Sequence, residues 1–393
     1  MKKVALIAYS FPPSRFKGGS IRSEKFVKYL PDFRWTPEVI SLRESEEIPN
    51  SSGFIRIRSW TPFSRPYNVY SYGWAIHLYF FLRSYLAASK PDLLYVSCPP
   101  FPQAVACMLA RRQTGIPLVV DFRDAWSLDP YKEGSRLKKF LYSKVFPTVE
   151  KRLLRKCDLF IANTPSMMRE YQKKYAFLND KKITVIPNGF DPDDFLNLAQ
   201  TSKNTVFTLV YCGRFGVGGR DPNLVFRAVR KYADRGNEIR LKIIGDDSSL
   251  IKHVVKKCAV SELVELTGTV SHASAIEAMS SADALLVYQE DTKAPVSAIA
   301  GKSFEYLRVG KAILAITPEG DNADLIREYS PNSEVVTDYT VDSICVSLER
   351  LYLKFSNPSV VTDSPSKQFI EQYSRRNQSK QLAKQFNMLV ENR

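Results

Sequence analysis

The sequence predicts an α/β protein made of two open, parallel-sheet domains in series, and three observations carry that prediction. Short apolar runs of strand length alternate with helical patterns along most of the chain, the rhythm of β–α units around a parallel sheet. Midway, Pro187-Asn188-Gly189 and Asp191-Pro192-Asp193-Asp194 make a dense cluster of turn formers. A fresh β–α–β series then begins at Val206.

Lys3 to Tyr9 is an apolar run that ends in Phe11-Pro12-Pro13, so it reads as a first buried strand. A helix follows near Ser20 to Leu30, then a strand at Leu93–Val96, a helix near Pro102 to Thr114 and a strand at Leu118–Val120. The same alternation continues with a strand at Leu159–Ala162, a helix over Ser166–Tyr175 and a strand at Ile183–Ile186. Past the turn cluster, strands are expected near 207–212, 240–244, 263–267, 283–288, 312–316 and 334–337. These boundaries divide the chain into a domain at 1–188, a hinge at 189–204, a second domain at 205–365 and a polar helical tail at 366–393. The tail carries Phe369, Tyr373, Leu382, Phe386 and Leu389, and is expected to pack back on the first domain. In open α/β sheets ligands bind beyond the carboxyl ends of the strands.

The chain has 393 residues, 44% of them hydrophobic and 12% aromatic, enough for sizeable cores and too apolar for a disordered protein. Fifty-six Lys plus Arg against forty-one Asp plus Glu give a formal charge of +15, which favours polyanionic partners such as nucleotide diphosphates, anionic lipids or nucleic acid. The six cysteines are scattered without a C-x-x-C pair, a pattern that fits a reducing cytoplasm. The opening apolar run is too short for a signal peptide. Tyr72 to Ser89 is the most lipid-like segment, but His77 and Arg83 interrupt it and no membrane span is expected. His77, His253 and His272 show no metal spacing, and neither G-x-S-x-G nor G-x-G-x-x-G occurs, which counts against a zinc site, a serine hydrolase and a nicotinamide enzyme.

The most informative stretch runs from Thr208 to Gly245. An apolar strand opens into Gly213-Arg214 with Arg220 six residues on, and Leu241-Lys242-Ile243-Ile244-Gly245 follows a helix. Glycine lets backbone N–H groups approach a diphosphate, and two guanidinium groups at a helix start bind its oxygens bidentately. Two solvated arginines at a helix entrance are the plainer reading of the same residues.

In the first half, Gly18-Gly19 at a strand-to-helix turn suits close approach to a phosphate or sugar, or is a plain turn. Asp121, Arg123 and Asp124 stand at a strand's carboxyl end, where acids beside an arginine suit sugar hydroxyls or, equally, fix the loop by an ion pair. In the second half, Gly301-Lys302 opens a helix whose Glu305, expected in the first turn, suits the two hydroxyls of a ribose, with Lys302 near a phosphate. The alternative for Glu305 is a complement to the helix dipole, about 0.3–1 kcal/mol. Gly268-Thr269-Val270-Ser271 follows a strand and sits where a base could meet exposed backbone. Tyr131 to Lys156 forms a basic, amphipathic, Pro147-kinked helical region, read as a solvated face over a packed stripe or as a contact for an anionic membrane surface. Nucleic acid ranks last there, because no aromatic platform interleaves the charges.

Taken in order, Phe11-Pro12-Pro13 with Gly18-Gly19, Asp121-x-Arg123-Asp124-x-Trp126, Ala162-Asn163-Thr164, Ile186-Pro187-Asn188-Gly189, Gly213-Arg214 with Arg220, Ile243-Ile244-Gly245 and Phe304-Glu305-Tyr306-Leu307 resemble the retaining glycosyltransferases of family four over nearly the whole chain. The resemblance implies the GT-B fold: α/β, with two Rossmann-like parallel-sheet domains facing an inter-domain cleft. It implies a nucleotide-diphosphate sugar donor held mainly by the second domain, a glycan or lipid-linked acceptor held by the first, and neither a cofactor nor a metal. Arg214 and Arg220 match the basic pair on the donor diphosphate, and Arg123 and Asp124 join them as catalytic candidates. Gly18, Gly19, Gly213, Gly245, Val270, Ser297, Lys302 and Glu305 are the donor-binding candidates. Glu305 matches the second acid of the family's E-x7-E motif.

Two residues depart from the family pattern. Ser297 stands where the first acid of that motif is usual, and Arg123 where many members have a histidine. The expected reaction is metal-independent: the leaving nucleoside diphosphate gains charge against Arg214 and Arg220, the acceptor attacks from the same face, and no protein nucleophile is needed. The expected role is cell-surface polysaccharide biosynthesis by a cytoplasmic protein, peripheral at the inner face of the membrane. A hydrolase or epimerase on the same fold is one rival, and a non-catalytic nucleotide-sugar-binding or scaffold protein, motivated by Ser297 and Arg123, is another.

Overall fold

The computed structural model describes residues 1–14, 19–44, 53–59, 67–128, 140–196, 204–216, 220–289, 298–356 and 365–391. The chain forms two compact units, Met1–Asn188 with Arg375–Arg393, and Gly189–Ser374.

In unit 1 the elements run β1 (Lys2–Ala8), α1 (Ile21–Tyr29), β2 (Trp35–Leu42), β3 (Phe54–Ile57), α2 (Tyr67–Ser89), β4 (Leu93–Cys98), α3 (Pro102–Ala110), β5 (Leu118–Phe122), α4 (Phe146–Lys156), β6 (Leu159–Ala162), α5 (Pro165–Lys174) and β7 (Ile183–Val185). Among the described residues the strands form one parallel sheet in the order β3-β2-β1-β4-β5-β6-β7. The central strands β4, β5 and β6 are buried along their whole length, which is why their runs read as apolar. On one face Trp74, Leu78, Leu82 and Leu86 of α2 pack with α3, α4 and α5, and the i, i+4 spacing of those four residues makes α2 a helix rather than the interrupted lipid-like segment of the sequence.

β2 and β3 were not expected, because Pro37 and Glu38 break the apolar run of β2. Pro37 fits there because β2 pairs in parallel with β1 and β3 in a register that leaves its missing N–H uncalled for. The expected kink at Pro147 takes a different form. A π turn over Leu141–Val145 runs directly into α4, whose first turn holds Pro147, a position where a missing N–H costs nothing. The part of the basic region at 131–139 lies outside the described residues.

In unit 2 the elements run β8 (Phe207–Cys212), α6 (Asn223–Ala233), β9 (Ile239–Ile244), α7 (Ser249–Lys257), β10 (Val264–Leu266), α8 (His272–Ser281), β11 (Ala284–Tyr288), α9 (Gly301–Val309), β12 (Ala312–Ile316), α10 (Asp321–Tyr329), β13 (Glu334–Val336), α11 (Val341–Ser356) and α12 (Lys367–Tyr373). Its described strands form a parallel sheet in the order β10-β9-β8-β11-β12-β13. The two sheets reproduce the α/β class expected from the sequence.

The segment read as a hinge begins inside unit 2: Phe190 and Phe195 are buried in its core, and Phe190 stacks on Phe369 of α12 with ring centroids 5.5 Å apart. The tail also divides. α12 stays with unit 2, whereas α13 (Arg375–Glu391) returns to unit 1 and covers the second face of its sheet beside α1. There Phe386 lies 5.1 Å from Trp35, and Trp35 Nε1 donates to Asn387 Oδ1 at 3.1 Å.

Candidate functional site

In unit 2, β8 ends at Cys212 and the chain turns at Gly213 with φ of +152°. The turn is tight and its φ favours glycine: a Cβ on Gly213 would have to displace Lys302 Nζ and would stand 3.2 Å from the Tyr211 hydroxyl. Lys302, in the first turn of α9, reaches back to donate to the Cys212 carbonyl, and its ammonium lies 4.2 Å from the centroid of the Tyr211 ring. One turn further along α9, Tyr306 Oη accepts from the Cys212 amide at 2.9 Å and fixes the helix to the strand end. Burial, with Arg220 adding to it, pulls the Lys302 ammonium down to about 8.

Arg214 is exposed, and its Nε donates to the Gly245 carbonyl at 3.3 Å. Gly245, at φ +97°, ends β9 and donates to the Gly268 carbonyl at 2.6 Å. Buried Asp246 accepts from the Phe215 amide at 2.9 Å and from the Ser248 amide at 3.1 Å, so the turn is held from behind. α6 starts only at Asn223, so Arg214 and Arg220 stand in the turn ahead of the helix and not at its first residues, which corrects the expectation of a helix-start site.

Glu305 is also displaced from its expected position. α9 begins at Gly301, which puts Glu305 in the second turn, beyond the reach of the dipole effect. Its carboxylate instead stands 3.6 Å from His272 Nε2, which lies 3.2 Å from Asp194 Oδ2. Val270 is half-buried just ahead of Ser271, whose hydroxyl caps α8 by accepting from the Ser274 amide at 3.1 Å. Ser297 lies outside the described residues.

In unit 1, β1, β4 and β5 end side by side, and beyond them lies a cavity of about 210 Å³. Ser10, Gly19, Ser23, Ser97, Pro99 and Arg123 are among the residues that line it. Arg123 donates through its backbone to the Cys98 carbonyl at 2.9 Å, while among the described residues its guanidinium makes only long contacts, 3.4 Å each, to the carbonyls of Cys98 and Pro99. A Cβ on Gly19 would meet Arg123 Nη2 at 3.6 Å, an ordinary contact. What a methyl would occupy there is cavity space. Gly18 lies outside the described residues.

The other members of that sequence cluster do not line the cavity. Asp121 is fully buried and takes Arg22 in a forked pair, at 2.8 Å to Nε and 3.3 Å to Nη2, with the Tyr95 hydroxyl also donating to it. Arg22 also donates to the carbonyls of Ile186 and Pro187, each at 2.7 Å, so the ion pair fixes the loop, the plainer of the two readings. Asp124 is exposed and not among the lining residues. The segment that follows is held by buried Glu150, which accepts from the Ser127 amide at 2.9 Å and from the hydroxyls of Tyr171 and Tyr175 at 2.9 and 2.8 Å.

Tyr211, His272, Asp194, Ser23 and Ser97 were missed from the sequence. For Ser23 a signal existed: Arg22, Ser23 and Phe26 all fall on the buried side of α1, and a polar pair on a core face asks for partners. His272 gave none, since its partners are distant in sequence. Among the described residues no group of three or more His, Cys, Asp or Glu is placed to hold a metal ion.

Residues 16–194 match the family model of Glycosyltransferase Family 4. Among solved structures, the sucrose-phosphate synthase of Thermosynechococcus elongatus superposes with a TM-score of 0.72 at 13% identity, covering 100% of both chains. The lipopolysaccharide outer core galactosyltransferase WaaB in its apo form gives 0.66 at 12% identity, again with 100% of each chain covered. A UDP-N-acetylglucosamine 2-epimerase gives 0.61 at 12% identity, covering 100% of this chain and 97% of its own. At such identities the likeness is one of fold. None of the curated proteins matches the chain by sequence.

Proposed function

From a chain that is glycosyltransferase family 4-like and has the GT-B fold, we propose a metal-independent, retaining glycosyltransferase that moves a sugar from a nucleotide-diphosphate donor to a glycan or lipid-linked acceptor. The observation that carries this reading is the cation cluster at the carboxyl end of β8, where Lys302 and Arg220 gather about Tyr211 and the Gly213 turn, and Arg214 lies beside Gly245. Three cations near one glycine turn suit a diphosphate, whose charge rises as the sugar departs. Glu305, one turn along the helix that supplies Lys302, suits the ribose hydroxyls, and Val270 with Gly245 borders the place of the base. In this reading Gly18 and Gly19 of unit 1 are assigned to the donor phosphates, Arg123 and Asp124 are catalytic candidates, and Ser297 of unit 2 is assigned to donor binding.

The acceptor is assigned to a lipid-linked glycan of cell-surface polysaccharide biosynthesis, taken from an anionic membrane surface. α4 carries Lys151, Arg152, Arg155 and Lys156, and α2, in the same helical layer, exposes Tyr72, Ile76 and Phe80 at i, i+4 spacing. Among the described residues no helix is long and apolar enough to cross a membrane.

The test is a thermal-shift screen of nucleoside diphosphates and their sugar conjugates, followed by a transfer assay with the best donor. One nucleotide should raise Tm selectively, Arg214→Ala and Arg220→Ala should each cut turnover by orders of magnitude, and Glu305→Ala should chiefly weaken nucleotide binding. Binding without turnover would favour the non-catalytic reading, and unchanged kinetics in all three variants would overturn the assignment.

A further inference from the structure

Ser23 is fully buried and Ser97 nearly so, and among the described residues the hydroxyl of neither has a hydrogen-bond partner. Both residues line the unit 1 cavity. A buried hydroxyl left unpaired is costly, and two bordering one cavity, from α1 and from β4, mark a place that a polar ligand completes. The third element is Arg123. Among the described residues it has no carboxylate partner, and its guanidinium makes only the two 3.4 Å contacts to carbonyls. Among the described residues no acid lines the cavity, and Gly19, just ahead of α1, does line it.

A neutral sugar would satisfy the serines but leave a cation facing no counter-charge. We infer that the cavity bordered by Arg123, Ser23 and Ser97 binds an oxyanion carried on a sugar, so that one substrate of the proposed transfer is acidic. Arg123 supplies the charge and a planar donor fork, and the two hydroxyls turn their protons toward the oxygens. The volume of about 210 Å³, roughly seven water volumes at ~30 Å³ each, suits a charged group with part of one ring. Gly19 keeps that volume open. The inference rests on the proposed glycosyl transfer only in calling the ligand a substrate. The anion itself has two chemical sources, a uronic acid carboxylate or a sugar phosphate.

Isothermal titration of the full chain with glucuronate, glucose 6-phosphate and glucose separates these. At least one charged sugar should bind about tenfold or more tightly than glucose. Arg123→Gln should abolish that preference, Ser97→Ala should weaken the charged sugar several-fold, and Arg214→Ala should leave it intact. Preference for glucuronate identifies a carboxylate, and preference for glucose 6-phosphate a phosphate. Equal binding of all three, no binding of any, or a charge preference lost in Arg214→Ala and kept in Arg123→Gln would overturn the inference. Nucleotide binding measured in the same Arg123→Gln protein reports separately on the donor reading. It should persist, and its absence already in the wild type would sink the transferase assignment instead.

Discussion

Lys302 sits over the face of Tyr211, its ammonium 4.2 Å from the ring centroid, and donates to the carbonyl at which β8 ends. The ring gives the cation a partner that is not an anion, so the charge stays available to a ligand. An acid in that place would have neutralised it. The same cation crowds residue 213, where a Cβ would have to push the lysine tip aside.

Gly213→Ala should therefore cost more binding than stability. The flexible lysine tip can withdraw, leaving about 1–2 kcal/mol of backbone strain from the positive φ. Circular dichroism should show a modest fall in Tm, while calorimetry should show at least a tenfold loss of affinity for the nucleotide found in the screen.

A Lys302 pKa of about 8 in the folded protein lies below its ordinary 10.5, so between those values the unfolded chain binds more protons. Stability rises with pH through that window, and the full penalty of the buried charge is felt below about pH 8. Nucleotide binding runs the other way, since a diphosphate favours the protonated lysine, and affinity should fall above about pH 8. Lys302→Met should flatten both profiles, and calorimetry and melting curves from pH 6.5 to 9.5 would read them.

Glu305 is placed by His272, which Asp194 holds in turn. His272→Ala should weaken a ribonucleoside diphosphate about three- to tenfold, an effect of the size of one lost hydrogen bond. A 2′,3′-dideoxy nucleotide should bind the variant and the wild type alike. If both nucleotides weaken equally, His272 shapes the turn and not the ribose contact.

Asp121→Asn leaves Arg22 as a buried cation with its main partner neutralised, a loss of about 3–5 kcal/mol. Replacing both residues by apolar ones of similar size should recover much of that loss. Denaturant melts of the single and double variants would show it.

Phe80→Glu, on the exposed stripe of α2, should abolish co-sedimentation with anionic vesicles and leave Tm within about 1 °C, as for surface changes. Retained sedimentation would remove the membrane assignment.

Most of the fold was legible because parallel strands buried on both faces are apolar throughout: β8, β11 and β12 stand within a residue of where their runs predicted them. β2 was hidden by Pro37 and Glu38, a proline that the parallel register tolerates and an acid that meets the hydroxyls of Tyr85 and Ser89. In the candidate site, Arg214, Lys302 and Arg123 were visible as charged residues after strands. Their partners were not, since Lys302 to Tyr211, Glu305 to His272 and Arg123 to the Cys98 and Pro99 carbonyls are relations between segments that the sequence keeps apart. Asp121 was legible as an acid but not as a committed one, because Arg22 lies ninety-nine residues before it.

The return of α13 to unit 1 bears on the order in which the protein is made. Trp35 and Tyr95 leave the ribosome early, yet Phe386, which covers them, follows only after all of unit 2 has been synthesised. The unit translated first is thus the one completed last, and a nascent chain stalled before Arg375 would carry a finished unit 2 behind a unit 1 with one apolar face still bare, a ready target for chaperones.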